Sequence, residues 1–177
     1  CDFLSFPADD ETQLRYIKGL MAEMIFYGPV LKDYEVSTIY IGGGTPSWLN
    51  EEWIAALLEG IFECFNVKED AEISIECNPG TLTLNKLLTY RDAGVNRLSI
   101  GLQSTNDEEL KLLGRIHTYD QFVKNYEMAR NVGYKNISVD LMYGLPQQTT
   151  EKYLDTVNRI VRLKPDHISA YSLIVEK

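Results

Sequence analysis

The sequence has few of the features that mark a metal-rich, membrane-spanning or nucleic-acid-binding protein. Its three cysteines, Cys1, Cys64 and Cys77, match no zinc-binding spacing and form no even disulfide framework, which predicts a reducing, cytoplasmic compartment. No apolar run approaches the length of a transmembrane helix, and the first residues show no signal-peptide pattern. The net charge of −9 argues against a general nucleic-acid binder, which would carry a basic surface.

What is present is the composition of one globular domain. Hydrophobic residues make up 45% of the 177 residues and charged residues 24%, which is ordinary for a chain that builds a sizeable core. We expect residues 1–177 to form a single domain. Because the chain begins at a cysteine and ends in a strand-like run, we also expect it to be a fragment of a longer protein.

Strand-like and helix-like segments alternate along the chain in units of about 30 residues, the size of a parallel βαβ unit. The predicted strands cover residues 36–41, 71–76, 95–100, 136–142 and 167–173. No hairpin signal separates them, so the pattern indicates a parallel α/β sheet. This count of strands fits both a doubly wound sheet and a (β/α) barrel. Thr150 is predicted to cap the last helix.

The most informative stretch is the glycine turn that follows the first strand, V-S-T-I-Y-I-G-G-G-T-P from Val36 to Pro46. Its apolar residues, which include Ile39 and Tyr40, are typical of a buried strand. The glycines allow positive φ angles and leave the backbone bare for a polar ligand. Ser47 or Asn50 is predicted to cap the next helix. A glycine turn alone is a weak motif and also fits a tight connection without a ligand.

Polar residues at the ends of all five strands decide between the two sheet architectures. They are Gly43, Gly44 and Thr45 after the first strand, then Glu76, Gln103, Asp140 and Tyr171. In a barrel such residues converge on one rim, where active sites lie, whereas an open sheet gathers ligands at one crevice. We therefore predict a partial (β/α) TIM-like barrel with parallel strands, in which the first strand is missing.

The candidate residues differ in how strongly they indicate function. Asp140 lies between Val139 and Leu141 in an apolar strand, and a buried carboxylate costs several kcal/mol unless it has a partner. We therefore interpret Asp140 as functional. Glu76 also fits a solvated strand end, and Arg115 also fits a surface position.

Other polar residues indicate less. Gln103 also fits a residue that only satisfies backbone groups. We interpret His117 and His167 as loop and strand-edge residues, because neither has a companion at metal-binding spacing. Cys64 is predicted to lie in the core, and Cys77 has no thiol partner nearby.

Seven motifs, in order along almost the whole chain, carry a resemblance to one family. They are C-D-F-L-S-F from Cys1, I-G-G-G-T-P from Ile41, I-E-C-N-P-G from Ile75, L-S-I-G-L-Q-S from Leu98, G-R-I-H-T from Gly114, D-L-M-Y-G-L-P-Q-Q-T from Asp140 and H-I-S-A-Y-S-L from His167. The chain resembles the radical S-adenosylmethionine (SAM) domain of the oxygen-independent coproporphyrinogen III oxidase and heme chaperone family.

The resemblance implies two cofactors, a 4Fe–4S cluster and SAM. It makes Cys1 the third cysteine of the motif that binds the cluster. It also implies a set of SAM contacts, which are Gly43, Gly44, Thr45, Glu76, Gln103, Arg115, Asp140 and Met142. Arg115 suits the SAM carboxylate, and the two carboxylates suit ribose hydroxyls or the ammonium group. Because only Cys1 comes from the cluster loop, we expect residues 1–177 alone neither to hold a cluster nor to cleave SAM.

The resemblance leaves two functions open. The first is heme binding and delivery by a chaperone that keeps the SAM fold. The second is oxidative decarboxylation of coproporphyrinogen III in porphyrin biosynthesis. The segment Cys1–Phe6 favours the chaperone, because the oxidases carry a further cysteine where this chain has Phe3. The expected ligands are SAM and heme or a porphyrin, and the electron donor is not indicated. An unrelated phosphate-binding barrel that uses residues 42–45 is a third, weaker interpretation.

Overall fold

Strands and helices alternate through residues 8–174, the part of the chain that the computed structural model describes. The helices are α1 (Asp10–Tyr27), α2 (Glu51–Cys64), α3 (Leu84–Asp92), α4 (Asp107–Leu112), α5 (Tyr119–Val132) and α6 (Thr150–Leu163). The strands are β1 (Glu35–Ile41), β2 (Asn66–Cys77), β3 (Arg97–Gln103), β4 (Asn136–Tyr143) and β5 (His167–Ser172). A 3-10 turn, Pro46–Trp48, follows the glycine turn.

The five strands form one curled sheet in the sequential order β1-β2-β3-β4-β5, and every neighbouring pair is parallel. Sequential order is that of a barrel wall, because a doubly wound sheet reverses its strand order near the middle. The prediction of a partial (β/α) barrel is therefore confirmed. The carboxyl ends of the strands share one rim, which places the turns after β1, β2, β3 and β4 on the same side of the molecule.

The two faces of the sheet differ sharply in polarity. The outer face packs its apolar side chains against the helices, where Ile75, Leu98, Ile137 and Leu141 are fully buried. The inner face carries the alternate residues, since successive side chains on a strand point to opposite sides. Apart from Gly101 and Met142, most of these residues are polar, and the polar ones are Thr38, Tyr40, Glu72, Ser74, Glu76, Arg97, Ser99, Ser138, Asp140, His167, Ser169 and Tyr171. The concave side of the half-barrel is therefore built for polar ligands.

Two strands differ from their predicted bounds by more than one residue. Strand β2 begins at Asn66 instead of residue 71, because its polar first residues pair with the start of β1 beyond an irregularity in the register between Val36 and Thr38. Strand β3 covers residues 97–103 instead of 95–100, because Gly101, Leu102 and Gln103 continue the pairing with β4 through a register shift.

Three local predictions also have definite outcomes. Asn50 caps α2 as predicted, since its side chain accepts a hydrogen bond from the N–H of Glu52. The cap of α6 is Thr149 and not Thr150, because the side chain of Thr149 accepts from the N–H of Lys152. The interpretation of the first strand as buried holds for only part of it. Within β1 only Ile39 is buried, and Tyr40 is 63% exposed because it lies on the inner face of an outermost strand.

Candidate functional site

The glycine turn leaves β1 at the rim with its backbone bare. Gly43 and Gly44 have φ angles of 85° and 60°, which residues with a side chain rarely adopt. A Cβ atom added at Gly42 would overlap the ring of Tyr40 and lie 3.1 Å from the carboxyl carbon of Glu76, so only glycine fits there. A Cβ atom at Gly43 would meet nothing within 4 Å. The turn therefore presents open peptide groups to the space above the inner face.

Glu76, near the end of β2, binds the turn through both of its carboxylate oxygens. The N–H of Gly43 donates to Oε2 at 3.0 Å, and the hydroxyl of Tyr40 donates to Oε1 at 2.5 Å. Burial raises the pKa of Tyr40, and the hydrogen bond and negative charge of Glu76 raise it further, so the hydroxyl keeps its proton as a donor. These contacts fix the carboxylate and the glycine turn relative to each other.

Asp140 occupies the inner face of β4 and is only weakly satisfied. The hydroxyl of Ser99 lies 3.4 and 3.5 Å from its two oxygens, at the limit of a hydrogen bond. Burial raises the pKa of Asp140, and the charge of Glu76 adds to this effect, while the nearby hydroxyls of Ser169 and Ser99 lower the pKa and partly oppose it. A half-buried carboxylate with such weak partners favours a ligand that donates hydrogen bonds or carries positive charge.

Gln103 ends β3 in a left-handed conformation, with a φ angle of 78°, and only 3% of the residue is exposed. Its Oε1 accepts a hydrogen bond from the hydroxyl of Tyr171 on β5, at 2.7 Å. Its Nε2 lies 3.1 Å from the position that a Cβ atom would take at Gly101. The amide is thus held across the end of the sheet by a hydrogen bond from β5, and glycine at position 101 leaves room for it.

Arg115 reaches the rim from the loop after α4. Its Nη1 donates to Oδ1 of Asn78 at 3.0 Å, and Nδ2 of Asn78 lies 3.3 Å from Oγ1 of Thr45. The two sequence-predicted residues, Arg115 and Thr45, are therefore joined through a residue that sequence reasoning treated as part of a turn. Met142 lies two residues beyond Asp140 on the same face of β4, beside Tyr171 in the register.

The remaining predicted residues lie elsewhere. Cys1 is outside the described residues, as is the segment Cys1–Phe6. Cys77 is buried, and burial raises the pKa of its thiol, so it is a poor thiolate donor. Cys64 is only partly buried, on α2, so its predicted core position is not fully realised. Within residues 8–174 no three His, Cys, Asp or Glu side chains are grouped as metal ligands.

The two histidines are not alike. His117 is buried, with its Nε2 3.2 Å from the carbonyl oxygen of Leu102, and burial lowers its pKa. It therefore supports the loop that carries Arg115 and is more than an ordinary loop residue. His167 is exposed at the start of β5, which agrees with its interpretation as a strand-edge residue.

Sequence reasoning missed two residues of the rim, Tyr40 and Asn78. Tyr40 resembles any aromatic residue of a strand, and its only signal is that it stands two residues before the turn, on the inner face. Asn78 is part of N-P-G, which is a strong turn signal and conceals any further role. In both residues the side chain reaches a neighbouring element.

Together the rim offers two carboxylates, one guanidinium, one buried amide and open peptide groups within a single concave surface. Carboxylates suit ammonium groups and hydroxyls, and a guanidinium suits a carboxylate. This arrangement fits a zwitterionic ligand with a hydroxyl-bearing part, and SAM has both features. The donor set of the described residues therefore fits the predicted cofactor.

Fold and site together define a parallel (β/α) half-barrel with a polar ligand rim at the carboxyl ends of its strands. A family model described as the radical SAM superfamily matches residues 16–160. The chain belongs to the radical SAM superfamily. Membership implies a 4Fe–4S cluster and SAM as cofactors.

Curated relatives include heme chaperones and oxygen-independent coproporphyrinogen III oxidases. The chain is 38% identical over 182 residues to the heme chaperone HemW of Escherichia coli K12, covering 99% of this chain and 47% of that protein. It is 37% identical over 158 residues to the oxygen-independent coproporphyrinogen III oxidase of Salmonella typhimurium, covering 89% of this chain and 35% of that protein. The chain thus spans about half the length, or less, of the curated relatives it matches.

Solved structures agree with the family. Coproporphyrinogen III oxidase HemN from Escherichia coli, described as a radical SAM enzyme, superposes with a TM-score of 0.91 at 33% identity, covering 98% of this chain and 40% of that one. An archaeal Elp3 from Methanocaldococcus infernus superposes with a TM-score of 0.67 at 20% identity, over 95% of this chain and 44% of that one, and shares the fold. None of the helices described between residues 8 and 174 is long and apolar enough to cross a membrane.

Proposed function

We propose that residues 1–177 form the SAM-binding core of a radical SAM protein that binds and delivers heme in the cytoplasm. The observation that supports SAM binding is the convergence of Glu76, Gln103, Asp140 and Arg115 on the rim beside the open glycine turn. The observation that supports the heme function is similarity to heme chaperones across 99% of the chain.

Each rim residue has a role that its chemistry suits. Arg115 binds the carboxylate of SAM, and the open backbone at Gly43 and Gly44 offers carbonyl oxygens to its ammonium group. Asp140 accepts from ribose hydroxyls or the ammonium group and thereby gains the partners that the protein does not supply. Gln103, Thr45 and Met142 complete the pocket. Glu76 supports the turn and, like Asp140, offers an acceptor to ribose hydroxyls or the ammonium group.

Cys1 is a ligand of the cluster in this proposal. The reduced cluster and SAM together supply one-electron chemistry, which belongs to the cofactors. What the chain contributes is binding and orientation, together with a polar inner face that holds SAM by its charged and hydroxyl groups. The electron donor is left unassigned.

The alternative activity is oxidation of coproporphyrinogen III. Similarity to the oxidases of Salmonella typhimurium and the superposition on the Escherichia coli oxidase support it. Phe3, which stands where the oxidases carry a further cysteine, favours the chaperone, although it lies outside the described residues.

The experiment uses the intact protein with its cluster reconstituted under anaerobic conditions. SAM binding is measured by calorimetry, heme binding by the absorbance of the heme on titration, and oxidase activity by conversion of coproporphyrinogen III. Binding of SAM and heme without turnover supports the chaperone. Turnover of coproporphyrinogen III supports the oxidase, and failure to bind SAM would contradict the proposal for the rim.

A further inference from the structure

Three segments that are distant in sequence meet at the side chain of Asn78. They are the glycine turn with Thr45, the turn after β2 that contains Asn78 itself, and the loop after α4 with Arg115. Oδ1 of Asn78 accepts from Arg115 at 3.0 Å, and Nδ2 donates to Thr45 Oγ1 at 3.3 Å. Both ends of one amide are therefore used, each for a different segment.

The backbone of Asn78 is fixed as firmly as its side chain. Its N–H donates to Oγ of Ser47 at 3.0 Å, and Ser47 is fully buried directly after the glycine turn. Its carbonyl oxygen accepts from the N–H of Thr81 at 3.2 Å and from the hydroxyl of Thr81 at 2.7 Å. The Ser47 and Thr81 hydroxyls are themselves 2.6 Å apart. These hydrogen bonds fix the backbone from which the Asn78 side chain extends, and through Ser47 they also fix the end of the glycine turn.

The contact with Asn78 orients Arg115 without neutralising it. Among residues 8–174 the guanidinium has no carboxylate within ion-pair distance, and its side-chain hydrogen bond goes to the neutral amide of Asn78. A guanidinium carries five N–H donors, so most of them stay available to an anion. A neutral amide leaves the positive charge of Arg115 intact for a ligand carboxylate, whereas the inner-face Arg97 is paired with Glu72 at 3.0 Å.

We propose that Asn78 is a positioning residue that holds Arg115 in register with the glycine turn, and so sets the affinity for the amino acid end of SAM. This inference rests on the proposed function of the rim. Asn78 acts through Arg115 and Thr45, and it need not contact the ligand. Its effect is therefore confined to the carboxylate-bearing part of the ligand.

The test compares two ligands on the intact protein with its reconstituted cluster. SAM carries the amino acid carboxylate, while 5′-methylthioadenosine shares the adenosine part and lacks that group. Asn78→Ala should lower the affinity for SAM roughly tenfold, which is the scale of one hydrogen bond to a charged group. It should change the affinity for methylthioadenosine less than about twofold. Asn78→Asp keeps an acceptor for Arg115 but pairs the guanidinium with a carboxylate and removes the donor to Thr45, so it should also weaken SAM binding while changing the affinity for methylthioadenosine much less.

A double-mutant cycle separates positioning from a merely structural effect. If Asn78 acts through Arg115, the double variant Asn78→Ala/Arg115→Ala should bind SAM no more weakly than Arg115→Ala alone. Asn158→Ala, an exposed asparagine on α6, is the matched control and should bind both ligands as the wild type does. Equal losses for both ligands in Asn78→Ala, unchanged SAM affinity, or simple additivity with Arg115→Ala would overturn the inference.

A measurement without any ligand keeps the inference separate from the proposed function. Amide hydrogen exchange in the unliganded protein should become faster over residues 43–48 and around Arg115 in Asn78→Ala, and remain unchanged in Asn158→Ala. If the wild type binds no SAM, the proposed function fails and exchange alone decides whether Asn78 couples the two segments. If Asn78→Ala does not fold, Thr45→Val provides a second test, because it removes only the hydrogen bond between Asn78 and Thr45. This variant should accelerate exchange over residues 43–48 but not around Arg115. Unchanged exchange in these variants would overturn the coupling.

Discussion

The two sides of the rim are built differently, although both carry a carboxylate on the inner face. On the β1–β2 side, Glu76 has a donor on each oxygen, at 2.5 and 3.0 Å. On the β4–β5 side, the distances from Ser99 to Asp140 are 3.4 and 3.5 Å, and burial raises the pKa of Asp140. One carboxylate is therefore satisfied by the protein, and the other is left short of partners.

The difference indicates that the two sides of the rim contribute to ligand binding in different ways. The β1–β2 side is preorganised before any ligand arrives, so binding there loses little conformational entropy. The β4–β5 side keeps a desolvated carboxylate, and in the proposed site its partners come from SAM, so binding there would relieve a cost that the free protein carries. Variants of the two carboxylates should therefore change the stability of the unliganded protein in opposite directions, although both should lower the affinity for SAM.

Of the four variants, Glu76→Ala should cause the largest loss of affinity for SAM. Glu76→Ala deletes the acceptor for both Tyr40 and Gly43, so the glycine turn is no longer preorganised, and it also removes a charged acceptor that the proposed site offers to SAM. Together these losses correspond to a loss on the order of 100-fold in affinity. The free energy of unfolding should fall by less, because the carboxylate lies on a partly exposed rim. Calorimetric titration with SAM measures the first effect and denaturant unfolding the second. Glu151→Ala, on the exposed start of α6, is the control. Wild-type affinity in Glu76→Ala would remove this carboxylate from the site.

Asp140→Asn should lower the affinity for SAM roughly tenfold, and it should stabilise the unliganded protein near neutral pH. Because the pKa of Asp140 is raised by folding, the folded state binds more protons than the unfolded state above the usual pKa of 3.8. The free energy of unfolding therefore decreases as pH rises from that value through the raised pKa, and Asn removes this decrease.

Unfolding curves of the wild type and of Asp140→Asn, measured from acidic to neutral pH, test this sign. The stabilisation by Asn should shrink as pH falls below the raised pKa, because the wild-type carboxyl is then neutral as well. SAM affinity of the wild type should rise over the same range as Asp140 ionises. A variant that is less stable than the wild type at neutral pH would show that Asp140 is as well satisfied as Glu76, and the contrast between the two sides would fail.

The same contrast shows what could be predicted from the sequence. Asp140 and Gln103 were identified because strand patterning locates strand ends, and strand ends share a rim in any parallel barrel. The polar start of β2 was missed because Asn66–Asp70 lacks an apolar alternation, and only pairing with β1 makes it a strand. Tyr40 and Asn78 were missed because their partners lie 36 and 37 residues away along the chain. Local sequence does not determine the register between parallel strands, so it cannot predict such contacts.

Tyr40→Phe tests how far the preorganised side depends on its aromatic donor. The variant keeps the ring against Gly42 and removes the hydroxyl that donates to Glu76. A single hydrogen bond acting through a second residue corresponds to about 1 kcal/mol, or roughly a fivefold loss of SAM affinity. Exchange over residues 42–44 should also become faster in the unliganded protein. Tyr16→Phe, an exposed tyrosine of α1, should change neither quantity. A full 100-fold loss would mean that Tyr40 contacts the ligand directly.

Ser99→Ala should have the smallest effect, and it measures the other side of the rim in the same way. The Ser99 hydroxyl lies at the limit of hydrogen-bond distance from Asp140, so its removal should change SAM affinity less than about twofold at a pH where the carboxyl is ionised. Because this hydroxyl lowers the pKa of Asp140 slightly, the pH at which binding strengthens should move upward in the variant. Ser74→Ala, another inner-face serine, should leave that pH unchanged. A fivefold loss in Ser99→Ala, matching that of Tyr40→Phe, would mean that Asp140 is held as firmly as Glu76 and that the two sides do not differ in preorganisation.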